Sequence, residues 1–321
     1  MNPRTRLLLT IGTVLAVAVA VAGVLTWHRP GPKETAAAAP ATSGPAARPA
    51  ASTPATAATT APATPAGPTL HYVSNTHGQY ATAARFGFNL VDIGPGKDAI
   101  DALPAGQRAL VWVGNLDNTN CTPGYSWPQF TAAVDRLAGD PKVFGYYLSD
   151  EPHPRLCPDA LAHVRQRADY IRGRDPAQKS FVVVLDTTKE CGTNVGCEYN
   201  AFRPESSHVD LIGIDPFVCS LHGCAFDRID TIVRLAEAKG IPRTAMVPVI
   251  QAFGQNCNTE QAHFYALPTA DQMGQLLAAW DAAVPHPVFD FAYTWRSEGP
   301  ACPALDGASA LHAVFSQHNG R

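Results

Sequence analysis

The chain has 321 residues, 46% of them hydrophobic and 16% charged, with a formal net charge of −3. That apolar fraction excludes a chain disordered throughout. The charge argues against a nucleic-acid partner, whose binding rests on clustered basic groups. The 28 prolines are unevenly spread, and the front of the chain differs from the rest.

Residues 1–29 begin with Arg4 and Arg6, followed by an uncharged run of 21 residues from Leu7 to Trp27. A helix needs about 20 residues to cross the hydrocarbon core, and basic residues ahead of the run place the N-terminus inside. Two readings stay open: an uncleaved signal anchor, favoured by the length of the run and by the Trp27-His28-Arg29 border, and a cleaved signal peptide, favoured by the small residues Ala18, Ala20 and Ala22. Either exports the chain. The expected location is extracellular, secreted or anchored to the membrane by this segment alone. Residues 30–69 are nearly all Ala, Pro, Thr, Ser and Gly. They cannot bury enough apolar surface to offset their ordering entropy and predict a disordered linker.

The eight cysteines all follow the linker. In an exported domain an even count reads as disulfides. Short spacing favours Cys191–Cys197 and Cys219–Cys224; elimination leaves Cys121–Cys157 and Cys257–Cys302. No CxxC, HxxxH or HExxH occurs and the histidines are scattered, so no metal site is expected.

Residues 70–321 suit a (β/α)₈ barrel in size. Eight strand–helix units can be read in order. The expected strands are Leu70–Ser74, Asn89–Ile93, Ala109–Gly114, Val143–Ser149, Phe181–Asp186, Val209–Asp215, Met246–Gln251 and Phe289–Trp295. The intervening helices are Gly78–Phe86, Lys97–Leu103, Ser126–Ala138, Asp159–Arg172, Phe226–Lys239, Thr269–Ala283 and Ala308–Ser316. Between Asp186 and His208 a cysteine-pinned loop and only a poor helix are expected. The alternative, an open doubly wound sheet, lacks its Gly-rich phosphate loop after strand one. The predicted fold class is therefore an α/β (β/α)₈ TIM barrel.

Active sites of such barrels sit at the C-terminal strand ends. Those ends carry Ser74, Asn75, Asp92, Asn115, Asp117, Asp150, Glu151, Asp186, Asp215, Gln251, Trp295, Arg296 and Glu298, an acidic, amide-rich rim. On strand four, two-residue alternation puts Phe144, Tyr146 and Leu148 outward and Gly145, Tyr147, Ser149 and Glu151 toward the axis. Adjacent carboxylates suit glycosidic cleavage, because repulsion and burial keep one protonated while the other stays ionised. The competing reading makes Asp150 a loop cap and pairs Glu151 with an arginine such as Arg296.

The run Tyr146-Tyr147-Leu148-Ser149-Asp150-Glu151-Pro152 resembles the strand-four signature of the TIM-barrel glycoside hydrolase superfamily. Its Asp-Glu pair is similar to that of hexosaminidase-type families, which use the substrate's 2-acetamido group as nucleophile. The resemblance implies Glu151 as general acid and Asp150 as the group orienting the acetamido. The chain departs from the retaining Asn-Glu clan, which has a Glu after strand seven where Gln251 stands here. Asp215, Asp186, Glu298 and Asp92 remain as second carboxylates. Asp215 is preferred, because Ile212 and Ile214 can face the helices while Gly213 and Asp215 face the axis; the competing reading is a turn before Pro216. Trp295 resembles the sugar-supporting Trp of many barrel glycosidases, unless alternation sends it outward with Phe291 and Tyr293. Tyr147, Gln251, Asn75, Asn115 and Arg296 are further candidates to bind substrate. The expected protein is an extracellular glycoside hydrolase of a polysaccharide or cell-envelope glycan. It needs no cofactor and acts as a monomer. The alternative is a barrel that binds glycans without cleaving them.

Overall fold

The computed structural model describes residues 69–185, 197–255, 265–296 and 302–320. The expected leader and linker lie outside them, apart from Thr69. Among the described residues no helix is long and apolar enough to cross a membrane.

Eight parallel strands close a barrel: β1 (Leu70–Val73), β2 (Leu90–Ile93), β3 (Arg108–Trp112), β4 (Val143–Asp150), β5 (Lys179–Val184), β6 (Leu211–Ile214), β7 (Met246–Gln251) and β8 (Phe289–Tyr293). Each hydrogen-bonds its neighbours in sequence order, and β8 returns to β1. The helices are α1 (Tyr80–Ala84), α2 (Lys97–Asp101), α3 (Trp127–Leu137), α4 (Ala160–Arg174), α5 (Cys197–Phe202), α6 (Pro204–Ser207), α7 (Asp227–Ala238), α8 (Ala270–Ala283) and α9 (Ser309–Asn319). Local chemistry starts two of them: Ser126 with Gln129 before α3, and Thr269 with Gln272 before α8, form capping boxes, satisfying first-turn amides that lack intrahelical partners. The fifth unit, expected to be poor in helix, contains the short α5 and α6.

Alternation divides the strand side chains into two cores. Val91, Val111, Tyr146, Val182, Ile212, Ile214 and Ile250 pack against the helices. Tyr72, Leu90, Leu110, Tyr147, Phe181, Val249, Phe289 and Phe291 fill the barrel. Large rings inside need small neighbours. A Cβ on Gly213 would come within 2.7 Å of Val183 Cγ2 and 3.1 Å of Phe181 Cζ, so a larger residue there collides with the packed interior.

Strand β4 departs from simple alternation, and one expectation fails for that reason. Its pairing with β3 slips so that Ala109 faces Val143 and Leu110 faces Gly145. Phe144 is the extra residue of a bulge and turns into the barrel, packing against Phe289 with Arg108 over its ring. The expected outward Phe144 is therefore corrected. Gly145 lies so close to β5 that a Cβ would be 2.2 Å from the Lys179 carbonyl oxygen, which explains the glycine after the bulge. A second slip comes at Leu148, between the pairs Tyr147–Phe181 and Ser149–Val182.

Cys121–Cys157 and Cys219–Cys224 are disulfides, with Cα separations of 5.3 and 4.0 Å, as the spacing and elimination arguments expect. Cys197 and Cys302 are also disulfide-bonded; their expected partners Cys191 and Cys257 lie outside the described residues.

Candidate active site at the barrel mouth

The second slip of β4 sets the site. Residues i and i+3 of a regular strand point to opposite faces. With Leu148 extra, Asp150 returns to the side of Tyr147, whose hydroxyl donates to Asp150 Oδ1 at 2.7 Å. Burial, then the charge of Asp150, pushes the Tyr147 phenol well above its ordinary value, so Tyr147 stays a donor at any working pH. Ser149 is turned aside: its hydroxyl donates to Asn115 Oδ1 at 2.6 Å and accepts from the Leu116 amide at 3.2 Å.

The loop after β3 holds Asp150 and Glu151 in place. Asn115 Oδ1 also accepts the Asp150 amide at 2.9 Å. Asn118 donates to the Glu151 carbonyl at 2.8 Å and accepts from the His153 amide at 3.0 Å. The Cys121–Cys157 disulfide joins this loop to the segment after Glu151. These constraints fix an unfavourable backbone, since Glu151 has φ +44°. A non-glycine residue there costs of order 1–3 kcal/mol and persists only where its surroundings over-determine it.

Across the mouth, Asp215 follows β6 with 4% exposure. Ile212 and Ile214 face the helices, the orientation from which the alternation argument placed Asp215 on the axis. Burial pushes its carboxyl well above the ordinary value; next come the charge of Glu151, a hydrogen bond shared with Glu151, and the charge of Asp150. Loss of water and two neighbouring carboxylates all favour the protonated form of Asp215. Glu151 is thus not neutralised by Arg296, as the competing reading had it: Arg296 pairs with Asp306 at 3.2 Å. The structure brings Asp150, Glu151 and Asp215 together.

Beside them opens a cavity of about 460 Å³ lined by Asp150, Asp92, Asn75, Asn115 and the rings of Tyr72, Tyr80, Trp112, Tyr147, Phe291 and Tyr293. Asp92 accepts from the Thr76 amide and hydroxyl at 3.2 and 3.1 Å; burial nonetheless raises its carboxyl. Flat rings with polar edges, lining one cavity with Asp92 and Asp150, can stack a sugar and bond its hydroxyls.

Two expected binding residues sit elsewhere. Trp295, 1% exposed, lies in the helix layer. It stacks on His312 and donates Nε1–H to Gln79 Oε1 at 3.3 Å, so its ring does not line the cavity. Phe291 and Tyr293, expected to share its direction, instead face inward; the aromatic surface at the end of β8 is Tyr293. Gln251 is 1% exposed. It accepts from the Cys219 amide at 2.8 Å and donates to the Cys219 and Ala266 carbonyls at 2.9 and 3.0 Å, pinning loops together. Asp186 and Glu298 lie outside the described residues.

Sequence reasoning missed Trp112 and Tyr293 at the cavity, and the buried Glu198 beside the segment that follows Glu151. Trp112 and Tyr293 are the last residues of β3 and β8, and reading strand ends one or two residues earlier would have found them. Glu198, on α5, is 1% exposed and lies 3.5 Å from His153 Nδ1. The poor helical pattern around it hid it.

No protein-family model matches the sequence, and no curated protein does. Solved structures share the fold. A β-glucuronidase from Ruminococcus gnavus aligns with a TM-score of 0.53 at 10% identity, over 78% of this chain and 49% of that one. An endo-β-1,3-glucanase from Amycolatopsis mediterranei, in complex with laminarihexaose, gives 0.52 at 10% identity, over 78% and 98%. A Bacteroides thetaiotaomicron protein assigned as an α-L-fucosidase gives 0.50 at 11% identity, over 80% and 95%. The chain thus spans about half the glucuronidase but nearly all of the other two. At these identities the similarity establishes a shared barrel fold, one that glycoside hydrolases use.

Proposed function

We propose that this protein is an extracellular glycoside hydrolase that cleaves glycosidic bonds of a polysaccharide or cell-envelope glycan. The observation that carries this reading is the grouping of Asp150, Glu151 and Asp215 at the strand ends, with the buried Asp215 carboxyl raised by burial and then by the other two. Hydrolysis needs one carboxyl that donates a proton to the leaving oxygen and one that is ionised at the reacting carbon. Burial, and then the charges of Glu151 and Asp150, favour a proton on Asp215. Glu151, the more exposed of the two, passes the Asp215 proton to the leaving oxygen. Asp215 is then left ionised as the second carboxylate, and Asp150, held by Tyr147, orients the substrate. Glycan binding by barrels of this fold, as in the laminarihexaose complex, supports a carbohydrate partner.

A specific observation favours a second reading, a barrel that binds glycan without cleaving it: at the end of β7, where retaining barrel glycosidases carry a nucleophilic Glu, stands Gln251, buried and bonded to the Cys219 and Ala266 backbone. Incubating the full chain and its Glu151→Gln variant with a panel of extracellular polysaccharides, and assaying new reducing ends, separates the readings. Hydrolysis requires activity that the variant loses. Saturable retention on a glycan, with no reducing ends from either form, is the signature of the binding barrel.

A further inference from the structure

The end of the barrel opposite the mouth carries a polar cluster that the reaction does not use. His71 lies on β1, Asp290 on β8 and His318 on α9. His71 Nδ1 is 3.1 and 2.9 Å from the two carboxylate oxygens of Asp290, and His318 Nε2 is 2.8 Å from Oδ2. All three side chains are at most 8% exposed. The two imidazoles meet edge to face with centroids 5.3 Å apart. One donor atom from each residue lies within 4.8 Å of the others.

This convergence comes from three distant parts of the chain, so no sequence spacing announces it. The cluster also opens on a second cavity, of about 400 Å³, whose wall includes His71, Asp290, His318, Asp281 and His286. Two imidazole nitrogens and one carboxylate oxygen are a donor set for first-row divalent metals, which leave a position for water or a further ligand. Barrel bottoms serve stability rather than chemistry. Here the three residues join the first strand, the last strand and the C-terminal helix α9.

We propose that His71, Asp290 and His318 bind a divalent first-row transition metal, of the zinc class, as a structural clasp across the closing seam of the barrel. This inference does not depend on the reading of the mouth. The neutral form of each histidine and the ionised form of Asp290 are the ligating ones, and the cavity supplies the route of entry.

The test uses the untagged full chain, stripped by chelator and titrated with zinc. The proposal expects one zinc per chain, a higher Tm on loading, and an affinity reduced at least 100-fold in His318→Gln. No saturable zinc site in the wild type overturns it, as does unchanged affinity in a folded His318→Gln: Asp290 then only bridges two histidines by hydrogen bonds. Should that variant not fold, cobalt added to the stripped wild type decides. Visible absorption of a low-symmetry nitrogen–oxygen site supports the clasp, and the spectrum of hydrated cobalt overturns it.

Discussion

The Tyr147 hydroxyl donates to Asp150 Oδ1 across 2.7 Å, joining residues that a regular strand would hold on opposite faces. The slip at Leu148 makes the contact, and with it the site: it places Asp150 over the cavity and delivers Glu151, one residue on, to Asp215. Removing the hydroxyl keeps the ring packed against Phe181 and Trp112. Tyr147→Phe should therefore lose only about 1 kcal/mol of stability while lowering kcat roughly tenfold on a cleavable glycan. Denaturant unfolding and steady-state kinetics check the two halves separately.

Asp215 carries a linkage prediction. Its carboxyl is raised in the folded chain, by burial first and Glu151 second. Below its unfolded value, near the ordinary 3.8, both states hold the proton. Above it the unfolded chain releases a proton that the folded chain keeps, so stability falls with rising pH until the folded value is reached. Holding the carboxyl one pH unit higher costs about 1.4 kcal/mol at neutral pH. Asp215→Asn should raise stability at neutral pH, flatten this slope and abolish hydrolysis. Urea unfolding from pH 4 to 8 measures the slope.

The Cys121–Cys157 disulfide braces the loops that hold Glu151 in its left-handed backbone. Replacing both cysteines by alanine should cost about 2–4 kcal/mol. Glycan turnover should fall further than the loss of folded protein explains, because Glu151 is freed. Turnover per folded molecule, measured well below Tm, tests this.

Tyr293 and Trp295 should separate cleanly. Tyr293 lines the cavity and is only partly buried, so Tyr293→Ala weakens glycan binding and costs less stability than truncating a fully buried ring. Trp295 is packed against His312 and Phe86, so Trp295→Ala opens a core cavity costing about 3–5 kcal/mol. Calorimetric titration and thermal unfolding of both variants give the comparison.

Much of this was legible in the sequence, and the failures have definite causes. The eight apolar runs mark all eight strands, because a parallel barrel strand is covered on both faces. Asp215 was legible because β6 is regular: Ile212 and Ile214 fix the phase. Phe144 was misread because an extra residue reverses the phase, and nothing in the residue types marks the slip. Trp295 was misread because Tyr293 already ends the strand, and alternation no longer governs residues beyond it. The contact of His71 with Asp290 and His318 was not legible, because only the closed barrel brings the three elements together.

The central claim is that Glu151 and Asp215 act together in glycosidic cleavage. The most direct measurement is the appearance of reducing ends when the full chain and its Glu151→Gln variant meet the same glycans. The account predicts cleavage of at least one glycan by the wild type and a loss of at least 10²-fold in the folded variant. Equal cleavage by both forms would remove Glu151 from the mechanism and contradict it.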